Sequence, residues 1–202
     1  MKIVSEQREG DTRQNIVDVA ERLFSQIGFQ KTTVADIARE LRMSPANVYR
    51  FFSAKAEINE AVARRLLSQM EKDVDEVVGG RERAPAKLRA AIASLEKANA
   101  QRFVANRKLH ELLETAFNES WPIVQDHSSA LNASLSAIIG EGVRASEFRT
   151  DDCDLAAILV RSACVRFCHP RLMVECAQEP EPTLDQMVDF CLVSLRGCDH
   201  GA

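Results

Sequence analysis

Within a few turns of chain lie side chains whose types suit contact with a polyanion and with base edges. Asn47 carries an amide that can bond a base edge, and Arg50 a guanidinium long enough to reach a guanine or a phosphate. Tyr49 and Lys55 offer donors suited to a phosphate backbone, as does the N-terminus of a helix opening at Ser53. Ala46, beside Pro45, is short enough to let a helix approach a groove closely. An ordinary helical hairpin with a solvated face fits this spacing as well.

Other reactive residue types are more scattered. Six cysteines, Cys153, Cys164, Cys168, Cys176, Cys191 and Cys198, fall in the last fifty residues without any C-x-x-C pair. Cys164 and Cys168 lie one helical turn apart with His169 next, a weak metal or redox signal. Buried free cysteine acting as a small hydrophobe explains them more simply. His110 and Glu114, also one turn apart, read first as helix polarity. No Gly-rich phosphate loop, nucleophile elbow or carboxylate pair is present, so neither a cofactor nor a metal site is expected.

Elements must now be found to hold these groups. The 202 residues are 46% hydrophobic and 28% charged, with only eight Gly and six Pro. That balance fits a globular chain built of helices and excludes collagen-like and disordered classes. No run approaches 18 apolar residues, which excludes a membrane-spanning helix. The start, MKIVSEQREGDTRQ, lacks the apolar middle of a secretory signal, so a reducing, cytoplasmic setting is expected. The net charge is −4, yet residues 1–65 carry 11 basic against 9 acidic groups and 31–55 carry five against two. A mildly basic end on an acidic body suits a small DNA-contacting module joined to a different kind of domain.

After a polar tail of about ten residues, with Asp11 or Thr12 as cap, Ile16, Val19, Ala20, Leu23, Phe24 and Ile27 form one helical stripe ending at Gly28. Thr33 and Asp36 have capping-box spacing and open a short second helix carrying Val34, Ile37, Ala38 and Leu41. After the turn Arg42-Met43, Ser44 caps a third helix over about 44–52, with Pro45 at its first position and Val48, Phe51 and Phe52 inward. A long helix then runs from Ser53 to about Val78, with Ile58, Val62, Leu66, Met70, Val74 and Val77 at near-heptad spacing. Beyond the Gly79-Gly80 loop, helices are expected at about 85–101, 103–118, 122–145, 152–168 and 183–196, with a short one near 171–177. The fold is all-α.

Thr32-Thr33-Val34-Ala35-Asp36-Ile37-Ala38, Ser44-Pro45-Ala46-Asn47-Val48-Tyr49-Arg50-Phe51-Phe52 and Lys55-Ala56-Glu57-Ile58 together resemble the DNA-binding domain of the tetracycline-repressor family over about residues 12–65. The resemblance implies an N-terminal three-helix helix-turn-helix domain, here 1–55, and a C-terminal helical ligand-binding and dimerisation domain, 56–202. It implies a regulator rather than an enzyme: a homodimer on a palindromic double-stranded DNA operator, usually a repressor, answering a small-molecule effector. Family positions that touch DNA match Thr33, Ser44, Ala46, Asn47, Tyr49 and Lys55. Pro45 and Arg50 join them from the helix face, and Arg42 as a further phosphate contact. Arg42 stands where the family often has a small turn residue, and Phe51 where it often has His with a backbone hydrogen bond.

The C-terminal half supports coarser expectations. Phe103, His110, Phe117, Trp121, His127 and Phe167 are candidates for lining an apolar effector pocket. Leu184, Met187, Val188, Cys191, Leu192 and Leu195 nearly fill one side of the last helix. They are expected to meet a second copy in a four-helix contact together with 152–168. Two competing classes remain: an all-α enzyme using a thiol or His near Cys164, Cys168 or His169, and a helical scaffold that has lost DNA binding.

Overall fold

The computed structural model describes residues 2–179 and 181–196; Met1 and Cys198 lie outside that range. Among the described residues every regular element is helical. The helices form two compact units. The first comprises the described residues to Leu66 together with Arg102–Ile123, and the second Leu67–Gln101 with the described residues from Val124 on.

In the first unit, α1 spans Lys2–Ile27, so the expected polar tail is helix instead. Its Glu, Gln and Arg content favours helix, and Asp11 and Thr12 lie inside the element rather than capping it. Ile16, Ala20 and Phe24 are fully buried and Leu23 nearly so, whereas Ile27 is 43% exposed and Val17 takes its place in the core. Gly28 follows at φ 91, a left-handed position that glycine adopts without steric cost. Next come α2 (Val34–Glu40), α3 (Pro45–Tyr49) and the first half of α4 (Lys55–Val78). The unit closes with α6 (Arg107–Asn118), whose N-cap Asn106 accepts from the Leu109 amide at 3.2 Å and which packs on α1. Ile37, Val48, Phe52, Ile58, Val62, Leu112 and Leu113 are among its other buried apolar residues, at most 1% exposed.

The second unit is built from the end of α4, most of α5 (Ala84–Ala105), α7 (Pro122–Arg144), α8 (Cys153–Ala163), α9 (Val165–Cys168), α10 (Leu172–Glu175) and α11 (Leu184–Arg196). The single helix expected over 152–168 breaks at Cys164, the C-cap of α8, where the backbone leaves helical geometry. Asp152 caps α8 by accepting from the Leu155 amide at 2.8 Å. Gly142 marks a close approach: a Cβ there would stand 2.1 Å from the Phe148 ring. The nearly buried ammonium of Lys87 donates to the Val78 carbonyl at 2.7 Å and pairs with Glu141 at 2.6 Å.

The last helix departs from expectation in a way that matters for assembly. Val188, Cys191, Leu192 and Leu195 are buried, with Leu184 and Met187 half-buried. Helix α11 packs against α8 of the same chain, so Val188, Cys191, Leu192 and Leu195 belong to the chain's own core. The widest apolar face of a helix is consumed first by intramolecular packing, which yields the same periodicity as an interface. Phe190 and Val193 on α11, and Leu155, Ile158 and Leu159 on α8, are instead left 42–67% exposed.

Candidate nucleic-acid interface

The interface is assembled from two caps and a turn. At the start of α2, the Asp36 amide donates to the Thr33 hydroxyl at 3.1 Å, while the Thr33 amide donates back to the Asp36 carboxylate at 2.9 Å. The Thr33 hydroxyl proton also goes to Asp36, at 2.7 Å, so this side chain is committed to the cap. These bonds hold the Asp36 carboxyl down at about 2, with a smaller contribution from Arg39.

Helix α2 ends in a Schellman motif. The Met43 amide reaches back to the Ala38 carbonyl at 2.9 Å and the Arg42 amide to Arg39 at 3.1 Å, with Arg42 at φ 54. The residue in the left-handed position is therefore not glycine, and it sits in the turn between the two short helices. Ser44 then caps α3 by accepting from the Asn47 amide at 3.2 Å, and Pro45 holds the first position. Unlike that of Thr33, the Ser44 hydroxyl is an acceptor in this cap, which leaves its proton for an outside acceptor.

Burial divides α3 as a groove-reading helix requires. Val48 is fully buried and anchors it, while Pro45, Ala46 and Arg50 are exposed or half-buried, Tyr49 is 49% exposed and Asn47 is half-buried. The Arg50 guanidinium approaches the Asn47 amide oxygen at 3.5 Å, leaving the Asn47 NH2 as the outward donor. Lys55, in the first turn of α4, donates to the Gln30 carbonyl at 3.2 Å and retains further N–H groups. Partial burial pushes its pKa down from the ordinary lysine value. The α4 N-terminus itself is partly used: the Ser53 amide and hydroxyl both donate to Glu57, whose carboxyl is lowered by those bonds. All nine residues expected to touch DNA (Thr33, Arg42, Ser44, Pro45, Ala46, Asn47, Tyr49, Arg50 and Lys55) thus lie in one unit, exposed or half-buried.

One contributor was missed by sequence reasoning. Arg13 on α1 donates to the Phe51 carbonyl just after α3 and stacks over the Phe52 ring at 4.0 Å. Nothing local to Arg13 signals this contact, because both partners are far away in sequence.

Of the six expected pocket residues, Phe103, His110, Phe117 and Trp121 lie in the first unit and His127 and Phe167 in the second. Phe103 and His110 meet edge to face at 5.0 Å in the first unit, with His110 buried. Phe117 and Trp121 are half-buried in the same unit, and the Trp121 indole donates to Glu119 at 2.9 Å. His127, in the second unit, is buried with Nδ1 2.7 Å from Glu71. Phe167 borders a cavity of about 190 Å³ with Arg166, Met173 and Cys176. Arg166 braces that region by bonding the Cys176, Glu179 and Glu181 carbonyls.

A capped helix pair, braced by a preceding helix and presenting polar groups from its second member, defines a helix-turn-helix DNA-binding protein. Comparison with known proteins takes this further. The family model for bacterial regulatory proteins of the tetR family matches residues 16–62, and that for the tetracyclin repressor-like C-terminal domain matches 84–188. The chain belongs to the tetracycline-repressor family of transcriptional regulators. It is 33% identical over 81 residues to the transcriptional regulator BetI of Brucella anthropi, covering 40% of this chain and 42% of that protein. It is 35% identical over 72 residues to the nicotine-responsive transcriptional repressor HdnoR of Paenarthrobacter nicotinovorans, covering 36% and 37% respectively. Each match thus spans about two fifths of the relative's length. A TetR/AcrR-family regulator from Thermobifida fusca superposes with a TM-score of 0.65 at 17% identity, over 93% of this chain and all of that one, a likeness of fold. Among the described residues no helix is long and apolar enough to cross a membrane.

Proposed function

We propose that this regulator is a cytoplasmic repressor acting as a homodimer on a palindromic operator and released or engaged by a small-molecule effector. The observation that carries the DNA half of this reading is the two-sided character of α3, anchored by buried Val48 while Ala46, Tyr49 and Arg50 face outward. Ala46 admits the helix to a major groove, and Asn47 and Arg50 read base edges. Ser44, Tyr49, Arg42 and Lys55 bind phosphates, and Thr33 acts through the cap that orients α2. The functional division falls near residue 55, with 1–55 reading DNA and 56–202 serving assembly and response.

The dimer reading rests on the exposed apolar residues Leu155, Ile158, Leu159, Phe190 and Val193, spaced as single faces of two packed helices. Two such pairs related by a two-fold axis make a four-helix contact. The effector reading rests on kinship with a nicotine-responsive repressor, and the effector belongs to residues matched by the C-terminal family model. Phe167, one of the aromatic candidates, borders a cavity. Helix α4, 24 residues long and about 36 Å by its rise per residue, carries the response, since it begins at Lys55 and continues into the second unit. A coupling of about 1–3 kcal/mol changes operator affinity about 5–150-fold.

Selection of duplex sites from a random pool tests the reading. The wild-type chain is expected to enrich a palindrome, and Asn47→Ala to enrich a site relaxed at specific positions. Enrichment of no sequence by the wild type would refute operator recognition.

A further inference from the structure

In the second unit, residues of α5, α9, α10 and the chain leading to α11 line the cavity of about 190 Å³ that Phe167 borders. Glu96, Arg166, Met173, Cys176 and Pro182 are among its other walls. The arrangement is held from α5. Asn99 is buried one turn beyond Glu96, and its amide donates to the Cys168 carbonyl at 2.6 Å, docking the end of α9 on that helix. The Phe167 ring and the Glu96 carboxylate thereby stand in the wall of one cavity.

The charged groups of this wall differ in what they already bind. Arg166 Nη1 reaches the Glu181 carbonyl and the Glu179 carboxylate, each at 3.4 Å. Its Nη2 reaches the Cys176 carbonyl at 3.4 Å and the Glu179 carbonyl at 3.1 Å. The terminal N–H groups of Arg166 are therefore spent within the chain. Glu96 is half-buried and makes no hydrogen bond or ion pair among the described residues. With Arg166 and Glu179 paired, one carboxylate is the charge left over in the wall.

We propose that this cavity binds a small organic amine as its ammonium ion, with the charge on the Glu96 carboxylate and the hydrocarbon body against Phe167 and Met173. An anion would meet the Glu96 charge and find the terminal donors of Arg166 occupied. A neutral alcohol can donate to Glu96 but leaves its charge uncompensated. The volume lies below the roughly 300–1,000 Å³ of pockets for drug-sized ligands, so the occupant is a single ring or a short chain. A consequence of occupancy at the operator rests on the effector reading; binding itself is measured without DNA.

The full-length chain is probed by saturation-transfer NMR with benzylamine, benzyl alcohol and benzoate at equal concentration. Benzylamine is expected to bind, and the other two at least about tenfold more weakly for want of a charge-assisted bond to Glu96. Glu96→Gln should keep the wild-type melt, since the carboxylate has no partner within the chain to lose, and should abolish that preference. In the wild type, benzylamine should slow iodoacetamide labelling of Cys176 at the cavity and leave Cys153 on α8 unchanged. Binding of none of the three, equal binding of all, or a preference for benzoate would overturn the site. So would a preference that survives in Glu96→Gln, or labelling of Cys176 indifferent to the amine. These outcomes leave the effector reading standing, because operator release is read separately in gel shifts. Benzylamine bound at Glu96 without change in operator affinity would uphold the site and refute its part in the response.

Discussion

The guanidinium of Arg13 sits 4.0 Å from the centroid of the Phe52 ring while donating to the Phe51 carbonyl, joining α1 to the chain that leaves α3. Phe51 stands where related regulators often carry a hydrogen-bonding His, and here Arg13 supplies a bond at that residue's carbonyl. Stacking on the buried Phe52 orients the fork. Arg13→Ala should lower stability by about 2 kcal/mol, the low end of a charge-assisted bond together with an exposed cation–π contact. Operator affinity should fall for every sequence alike. Urea melts and gel shifts check both, and a variant indistinguishable from wild type in each would remove the brace.

Arg42 combines a conformational cost with a well-placed charge. At φ 54 an L-residue carries a penalty of about 1–2 kcal/mol that glycine avoids. Arg42→Gly should therefore raise stability by about 1 kcal/mol while weakening operator binding. The slope of log affinity against log salt should flatten by about one unit for each phosphate that a subunit no longer neutralises. Lys55→Ala should flatten that slope too, without the gain in stability. Lower stability in Arg42→Gly would show that the arginine makes compensating interactions at the turn.

The Asp36 cap has a pH signature. Its carboxyl titrates at about 2 in the folded chain against 3.8 ordinarily, so the unfolded state binds a proton first as pH falls. The cap's contribution is present in full above about pH 4 and disappears as pH drops toward 2. Melts of wild type and Asp36→Asn at constant ionic strength should differ at pH 5 and converge toward pH 2. A difference constant across that range would separate the cap from the ionisation of Asp36.

Assembly should depend on the exposed faces of α8 and α11. Phe190→Glu combined with Val193→Glu should give a folded monomer in sedimentation at micromolar concentration, where the wild type is expected to sediment as a dimer. Leu192→Glu should instead destabilise the subunit itself, because it places an unpaired charge in that chain's core. A wild-type monomer under these conditions would end the pairing proposal.

The local elements of the reading head are legible in the sequence. Thr33 with Asp36, Ser44 with Pro45 and the left-handed Gly28 act within three or four residues of themselves, so both partners of each interaction are visible at once. The all-α class is likewise legible from periodicity. Element limits are less so. The start of α1 lies back at Lys2 because its polar first turns favour helix without any apolar stripe to mark them.

Short-range hydrogen bonding and the helical repeat thus specify most of the helices, their caps and the side chains offered by α3, and all of these can be read from the chain of residues alone. Which apolar stripe of α11 turns inward was settled only in the folded molecule. A helical repeat of apolar residues cannot distinguish a neighbour in the same chain from one in another, so Val188 and Leu192 went to the core and Phe190 and Val193 stayed outside. The same holds for Arg13 on Phe52 and for Lys87 against Glu141. Those contacts depend on how distant segments pack, and packing is governed by the burial of whole faces rather than by any residue's neighbours in sequence.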